Sequence, residues 1–172
     1  MTTCTTSIAT KELEVRYGKT VAVTDVNLDI PAGSLLSVIG PNGAGKSALL
    51  KALAGAIEIH SGDIDIPGPP PSFVMQSTEV DPSLPISVKD VVSLARYSNR
   101  GPFKRFRKKD RDAVDEAIER LNLKDLAKRQ LHELSGGQRQ RVLVAQGLAQ
   151  DSNVLLLDEP INGLDLVSRD II

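Results

Sequence analysis

Eight consecutive residues, Gly40-Pro41-Asn42-Gly43-Ala44-Gly45-Lys46-Ser47, fit the spacing G-x-x-x-x-G-K-[ST]. Glycines at these positions let the backbone turn tightly and aim its N–H groups inward at phosphate oxygens. A helix opening directly after the loop adds free donors and partial positive charge. Lys46 would bring a full charge to the β- and γ-phosphates, and Ser47 a hydroxyl for Mg²⁺. Such a loop is read as a nucleoside triphosphate site, with ATP the expected ligand. A glycine-rich turn with a surface lysine is the plainer alternative. Four fixed positions give on the order of one chance match per hundred chains of this length.

Two acids, Asp158 and Glu159, follow the apolar run Val154-Leu155-Leu156-Leu157. Strand ends of a parallel sheet are where ligands bind. Asp158 would hold Mg²⁺ through water, and Glu159 would polarise the water attacking the γ-phosphate. The alternative is a strand running out into a polar turn, stopped by Pro160. A third constellation, Ser135-x-x-Gln138, has the spacing of a capping box.

These groups need elements to position them. Leu13, Val15 and Tyr17 alternate with polar residues, as do Val26, Leu28 and Ile30, predicting two half-buried strands turned at Gly18. Leu35 to Ile39 is a short apolar run ending in the glycine loop, which suits a strand buried on both faces of a parallel sheet. A helix over Ala48 to Ala54 is expected next, with Gly55 as its C-terminal cap. Short strands are expected at Ile64 and Ile66 and at Phe73 to Met75, ending at Gln76. Ser-x-x-Asp at Ser87 starts a helix to about Tyr97; Asp112 to Leu121 and Leu123 to Arg129 read as two more. Ser135 opens a fourth to about Gln150, Val154 to Leu157 is a strand, and Asp165 starts a last helix. The organisation is an α/β core interrupted by a mainly helical stretch, about Ser77 to Leu131.

Composition limits the rest. The chain has 172 residues, 41% hydrophobic, enough for one domain with a buried core. Its formal net charge of −1 supplies no global field for nucleic acid. No apolar run approaches the roughly 20 residues of a membrane-spanning helix. The Thr-rich start has no signal-peptide layout, and the single Cys4 forms no disulfide framework or metal cluster.

Leu134-Ser135-Gly136-Gly137-Gln138 decides a family resemblance. With the glycine loop before it and the Asp158 strand after it, the chain resembles the nucleotide-binding domain of ABC transporters, whose signature motif is this pentapeptide. The resemblance runs from about Leu13 onward and is closest to bacterial metal-ion importers for zinc, manganese or iron. It implies a P-loop NTPase core with a mostly parallel central sheet, an N-terminal antiparallel β part and an inserted α-helical subdomain. One domain would occupy residues 1–172, with core 10–76 and 150–172 and helical subdomain about 77–149. The signature would bind the γ-phosphate of ATP held by the opposite subunit, so the resemblance implies a head-to-tail dimer with two ATPs in it. Tyr17 stands where an aromatic ring stacks on adenine; the alternative is a strand aromatic packing beside Leu13 and Val15. Gln76 matches the glutamine that contacts Mg²⁺ and the attacking water, unless it is an ordinary loop residue. Catalysis would thus rest on Glu159, Gln76 and Lys46; Mg²⁺ on Ser47, Gln76 and Asp158; and the dimer interface on Asp165. Ile161 and Asn162 depart from the small or hydroxyl residues common in that aspartate loop.

The resemblance further implies an integral membrane permease, an extracytoplasmic substrate-binding protein, and a cytoplasmic location on the inner membrane face, with no nucleic acid partner. Pro85-Ile86-Ser87-Val88, Asp90-Val91-Val92 and Leu94-Ala95-Arg96-Tyr97 carry the likeness to metal importers; iron-chelate and heme importers are close relatives. No transition-metal site is expected in this chain. The cations Arg96, Arg100, Lys104, Arg105, Arg107, Lys108 and Lys109 read as a solvated face, or as a contact for the permease or anionic headgroups. The family's histidine on the next strand has no match, since only His60 and His132 occur. The expectation is a truncated reading of a longer protein, because a missing central strand would leave unpaired backbone groups costing about 1–3 kcal/mol each. A soluble ABC ATPase unlinked to transport, another P-loop kinase or GTPase, and a hydrolysis-deficient ATP-binding fragment are the rivals. Against the first, Gln76 to Leu134 is too short for a long coiled-coil insertion and the chain has one set of motifs. Against the second stand the Leu134 to Gln138 motif and Asn122-Leu123-Lys124-Asp125, which is not the guanine-reading Asn-Lys-x-Asp order.

Overall fold

The structure is a computed structural model, described over residues 8–75, 85–97 and 106–158. It divides into two compact units, one containing residues up to Phe73 together with Ser152–Asp158, the other containing Val74–Asp151.

In the first unit, β1 (Ile8–Tyr17) and β2 (Thr20–Ile30) form an antiparallel hairpin, with Gly18 at φ +60 in the turn. β3 (Ser61–Asp65) pairs with the other edge of β1, giving the order β2-β1-β3. The ladder is interrupted by bulges. Glu12 sits there at φ +48, and its N–H is taken up by Asn27 Oδ1 at 2.9 Å. Leu13 and Val15 point from this sheet into the core and are fully buried. They meet Ala48, Leu49, Ala52 and Leu53 of α1 (Lys46–Leu53), and Leu156 joins the same cluster. Each of the valine and leucine side chains contributes about 1.5–3 kcal/mol by leaving water, and each alanine methyl less. An eight-residue helix is marginal by itself, so this packing is what holds α1. The helix ends in a Schellman motif, with Gly55 at φ +67: Ala56 N–H donates to Lys51 O at 2.8 Å and Gly55 N–H to Ala52 O at 2.9 Å. β4 (Ser72–Val74) pairs with β5 (Leu155–Leu157). Of the expected central sheet, the described residues contain this pair alone.

The expected strand at Leu35 to Ile39 is absent. These residues have no ladder partner among the described residues, and Leu35 and Ile39 are 83% and 91% exposed. Strand geometry needs a neighbour for its backbone groups, and apolar composition cannot substitute for one.

The second unit is helical: α2 (Val88–Leu94), α3 (Lys108–Arg120) and α4 (Gly136–Ala149). Two 3₁₀ turns, Lys124–Leu126 and Leu131–Glu133, lie between α3 and α4. Only the first turn replaces the helix expected over Leu123 to Arg129. The backbone there is engaged elsewhere: Val88 N–H donates to Arg129 O, Lys89 N–H to Ala127 O and Leu131 N–H to Ile86 O. Ser87 caps α2 through the expected capping box with Asp90. α3 starts four residues before the expected Asp112, because Asp110 Oδ2 accepts the Arg107 N–H at 2.9 Å. The core of this unit includes Val88, Val92, Val114, Ile118, Leu123 and Val142.

The expectation that Arg96 belongs to a solvated basic face is overturned. Its side chain is 7% exposed, and its Nε and Nη2 donate to Asp110 Oδ1 at 3.1 and 2.9 Å. Its Nη1 donates to the Ala149 carbonyl at 2.9 Å. A fully buried carboxylate needs such a partner more than the surface needs another charge.

Candidate functional site

The loop from Gly40 to Ser47 runs into α1 without a side-chain cap. Gly45 is the N-cap residue, with φ +86, and the first turn of α1 carries no acid. The first-turn amides and their partial charge are therefore not neutralised from within the helix. A Cβ at Gly45 would overlap the Ala22 carbonyl and stand 2.9 Å from Val23 Cγ2. The loop thus passes hard against β2, where only glycine fits. Gly43 is also left-handed, at φ +81, but a Cβ there would meet none of the described residues within 4 Å. Ala44 N–H donates to Pro41 O at 3.2 Å and closes a turn that includes Asn42. Lys46 folds back over this turn, donating from Nζ to Gly40 O at 2.9 Å and Pro41 O at 2.8 Å. Its ammonium is thereby held at the loop, where charged oxygens would be stronger acceptors than these neutral carbonyls.

Ser47 Oγ donates to Asp158 Oδ1 at 2.8 Å, across 111 residues of chain. Asp158 follows β5 and is buried. A serine hydroxyl and a carboxylate in contact beside a phosphate loop are hard oxygen donors of the kind Mg²⁺ takes alongside phosphates. The pair thus fits the ion expected from the sequence.

Tyr17 closes β1 and is 50% exposed, leaving its ring accessible for stacking. In the other unit, Ser135 caps α4: its Oγ accepts from Gln138 N–H at 3.3 Å, and its own N–H donates to Gln138 Oε1 at 3.0 Å. The capping-box reading and the signature coincide there. Among the described residues, added Cβ atoms at Gly136 and Gly137 would meet nothing within 4 Å, which leaves room at this helix end for an approaching group. Gln76, Glu159 and Asp165 lie outside the described residues.

Two features escaped the sequence reading. Arg139 donates from Nε to Leu134 O at 3.0 Å and from Nη2 to His132 O at 3.3 Å. The Arg96–Asp110 pair was the other, and Arg107-x-x-Asp110 at a helix start was its available signal. Among the described residues, no helix is long and apolar enough to cross a membrane.

Comparison with known proteins supplies the family. The ABC transporter family profile matches residues 23–162. The manganese transport system ATP-binding protein of Listeria innocua serovar 6a is 40% identical over 167 residues, covering 93% of this chain and 70% of that protein. The zinc transport system ATP-binding protein of Treponema pallidum is 37% identical over 173 residues, covering 96% of this chain and 65% of that protein. A solved metal-chelate-type ABC transporter in an inward-facing conformation superposes with a TM-score of 0.79 at 34% identity, covering 97% of this chain and 65% of that one. The chain thus spans about two thirds of the length of these proteins. With the phosphate loop, the Asp158 strand and the signature all inside the matched region, the chain belongs to the ABC transporter ATP-binding family.

Proposed function

We propose that this chain is the ATP-binding and ATP-hydrolysing subunit of a metal-cation importer, working as a head-to-tail pair beneath a membrane permease. The observation that carries the nucleotide site is the uncapped start of α1, with Lys46 held over the loop and Ser47 bonded to Asp158. Loop amides and Lys46 bind the phosphates, and Tyr17 stacks on the base with little selectivity among purines. Ser47 and Asp158, with Gln76, would hold Mg²⁺, which when bound neutralises charge developing on the β- and γ-phosphates. Glu159 accepts a proton from water as its oxygen bonds to the γ-phosphorus, and the bond to the bridging oxygen breaks to release ADP. Ser135, Gly136, Gly137 and Gln138 of a second copy complete the site at the γ-phosphate, with Asp165 at the interface.

The metal-cation substrate rests on the names of the relatives, which transport manganese and zinc. A metal chelate is the second reading, favoured by the metal-chelate-type transporter among the structural neighbours. A substrate-binding protein outside the membrane and a place on its inner face complete the proposal.

Glu159→Gln tests it. The variant should retain ATP, accumulate as an ATP-bound pair on size exclusion, and lose turnover by about 10²–10⁴-fold. Wild-type turnover in Glu159→Gln would remove that residue from the role of base. Uptake assays with manganese, zinc and a ferric chelate separate the substrate readings.

A further inference from the structure

Arg139 stands four residues after the N-cap Ser135, so its side chain returns over the start of α4. The carbonyls it binds, Leu134 O and His132 O, belong to the turn that delivers the chain into Ser135. Leu131 and Leu134 anchor that turn through buried side chains. The Leu134 carbonyl and the Ser135 N–H are two sides of one planar peptide group. Arg139 holds the carbonyl side at 3.0 Å, and Gln138 Oε1 holds the N–H side at 3.0 Å. A guanidinium is a rigid fork, so engaging two carbonyls together fixes the tilt of that peptide as well as its position. The tilt of the peptide sets where the Ser135 side chain points. Beyond it, no described residue comes within 4 Å of a Cβ built at Gly136 or Gly137.

We propose that Arg139 is a positioning residue for the signature: by clamping the Leu134–Ser135 peptide it aims Ser135 at the γ-phosphate brought by a second copy, without touching that phosphate itself. The inference rests on the function proposed above and adds to it the residue that orients the site's second half.

The test uses the intact protein with Arg139→Met and Arg139→Lys, each alone and combined with Ser135→Ala. ATP affinity of the unpaired subunit should stay within about twofold of wild type. Turnover should fall roughly 10- to 100-fold in Arg139→Met, since a small misplacement of a positioning group has that effect. Arg139→Lys, which keeps the charge but not the fork, should fall between the two. In the Ser135→Ala background Arg139→Met should add little, because the group it aims is already gone. The inference is overturned if Arg139→Met turns over at the wild-type rate, if its loss adds in full to that of Ser135→Ala, or if subunit ATP affinity and the melting temperature fall together. An unmodified protein that neither pairs with ATP nor hydrolyses it would instead overturn the proposed function.

Discussion

Gly43 and Gly45 both take left-handed backbone angles, yet the structure distinguishes them sharply. Gly43→Ala meets only the intrinsic penalty of that conformation, about 1–2 kcal/mol. Gly45→Ala meets the same penalty and also drives a methyl into the Ala22 carbonyl, so it should destabilise by more than about 3 kcal/mol. Urea unfolding of the two variants checks the difference, and ATP binding should survive in Gly43→Ala while failing in Gly45→Ala. The motif spacing demanded a glycine at 45. It could not say that β2 is the obstacle, because Ala22 is far away in sequence. The family resemblance already places Ser47 and Asp158 at one Mg²⁺; the structure adds that their side chains meet directly, at 2.8 Å.

At the scale of elements, Arg96 joins the end of α2 to the start of α3 and the end of α4, through Asp110 and the Ala149 carbonyl. Removing one charge strands the other in the core. Arg96→Met should therefore cost about 3–5 kcal/mol in thermal or urea unfolding. Arg96→Met combined with Asp110→Leu should recover most of that loss. About 1 kcal/mol should remain, since Asp110 also accepts the Arg107 N–H at the start of α3. A double variant no more stable than Arg96→Met would show that the pair does more than neutralise itself. Capping patterns at Ser87 and Ser135 were readable because both partners lie within four residues. The start of α3 was missed because its N-cap is Arg107, which gives Asp110 only a backbone N–H and has no Ser, Thr, Asp or Asn side chain to mark the position.

For the whole molecule, the proposal places half of each nucleotide site on another copy. A mixture of Lys46→Ala and Ser135→Arg subunits should then contain pairs with one site intact and one doubly defective. Each variant alone should fail to pair with ATP, whereas the mixture should pair and recover measurable hydrolysis. Failure of the mixture, with wild type pairing normally, would argue against the head-to-tail arrangement. The exposed run from Leu35 to Ile39 belongs to this scale too: its apolar character is local, but its conformation depends on a neighbouring strand.

The sequence by itself determined the family, the phosphate loop, the signature motif and the capping boxes at Ser87 and Ser135, because each is written in residue types at short, fixed spacing. Tertiary structure alone decided which oxygens meet at Ser47 and Asp158, why Gly45 tolerates no side chain, where Arg96 is buried and what Arg139 clamps. Those outcomes depend on which distant segments pack together, and packing follows from burial and charge satisfaction summed over each unit. No local spacing encodes that sum.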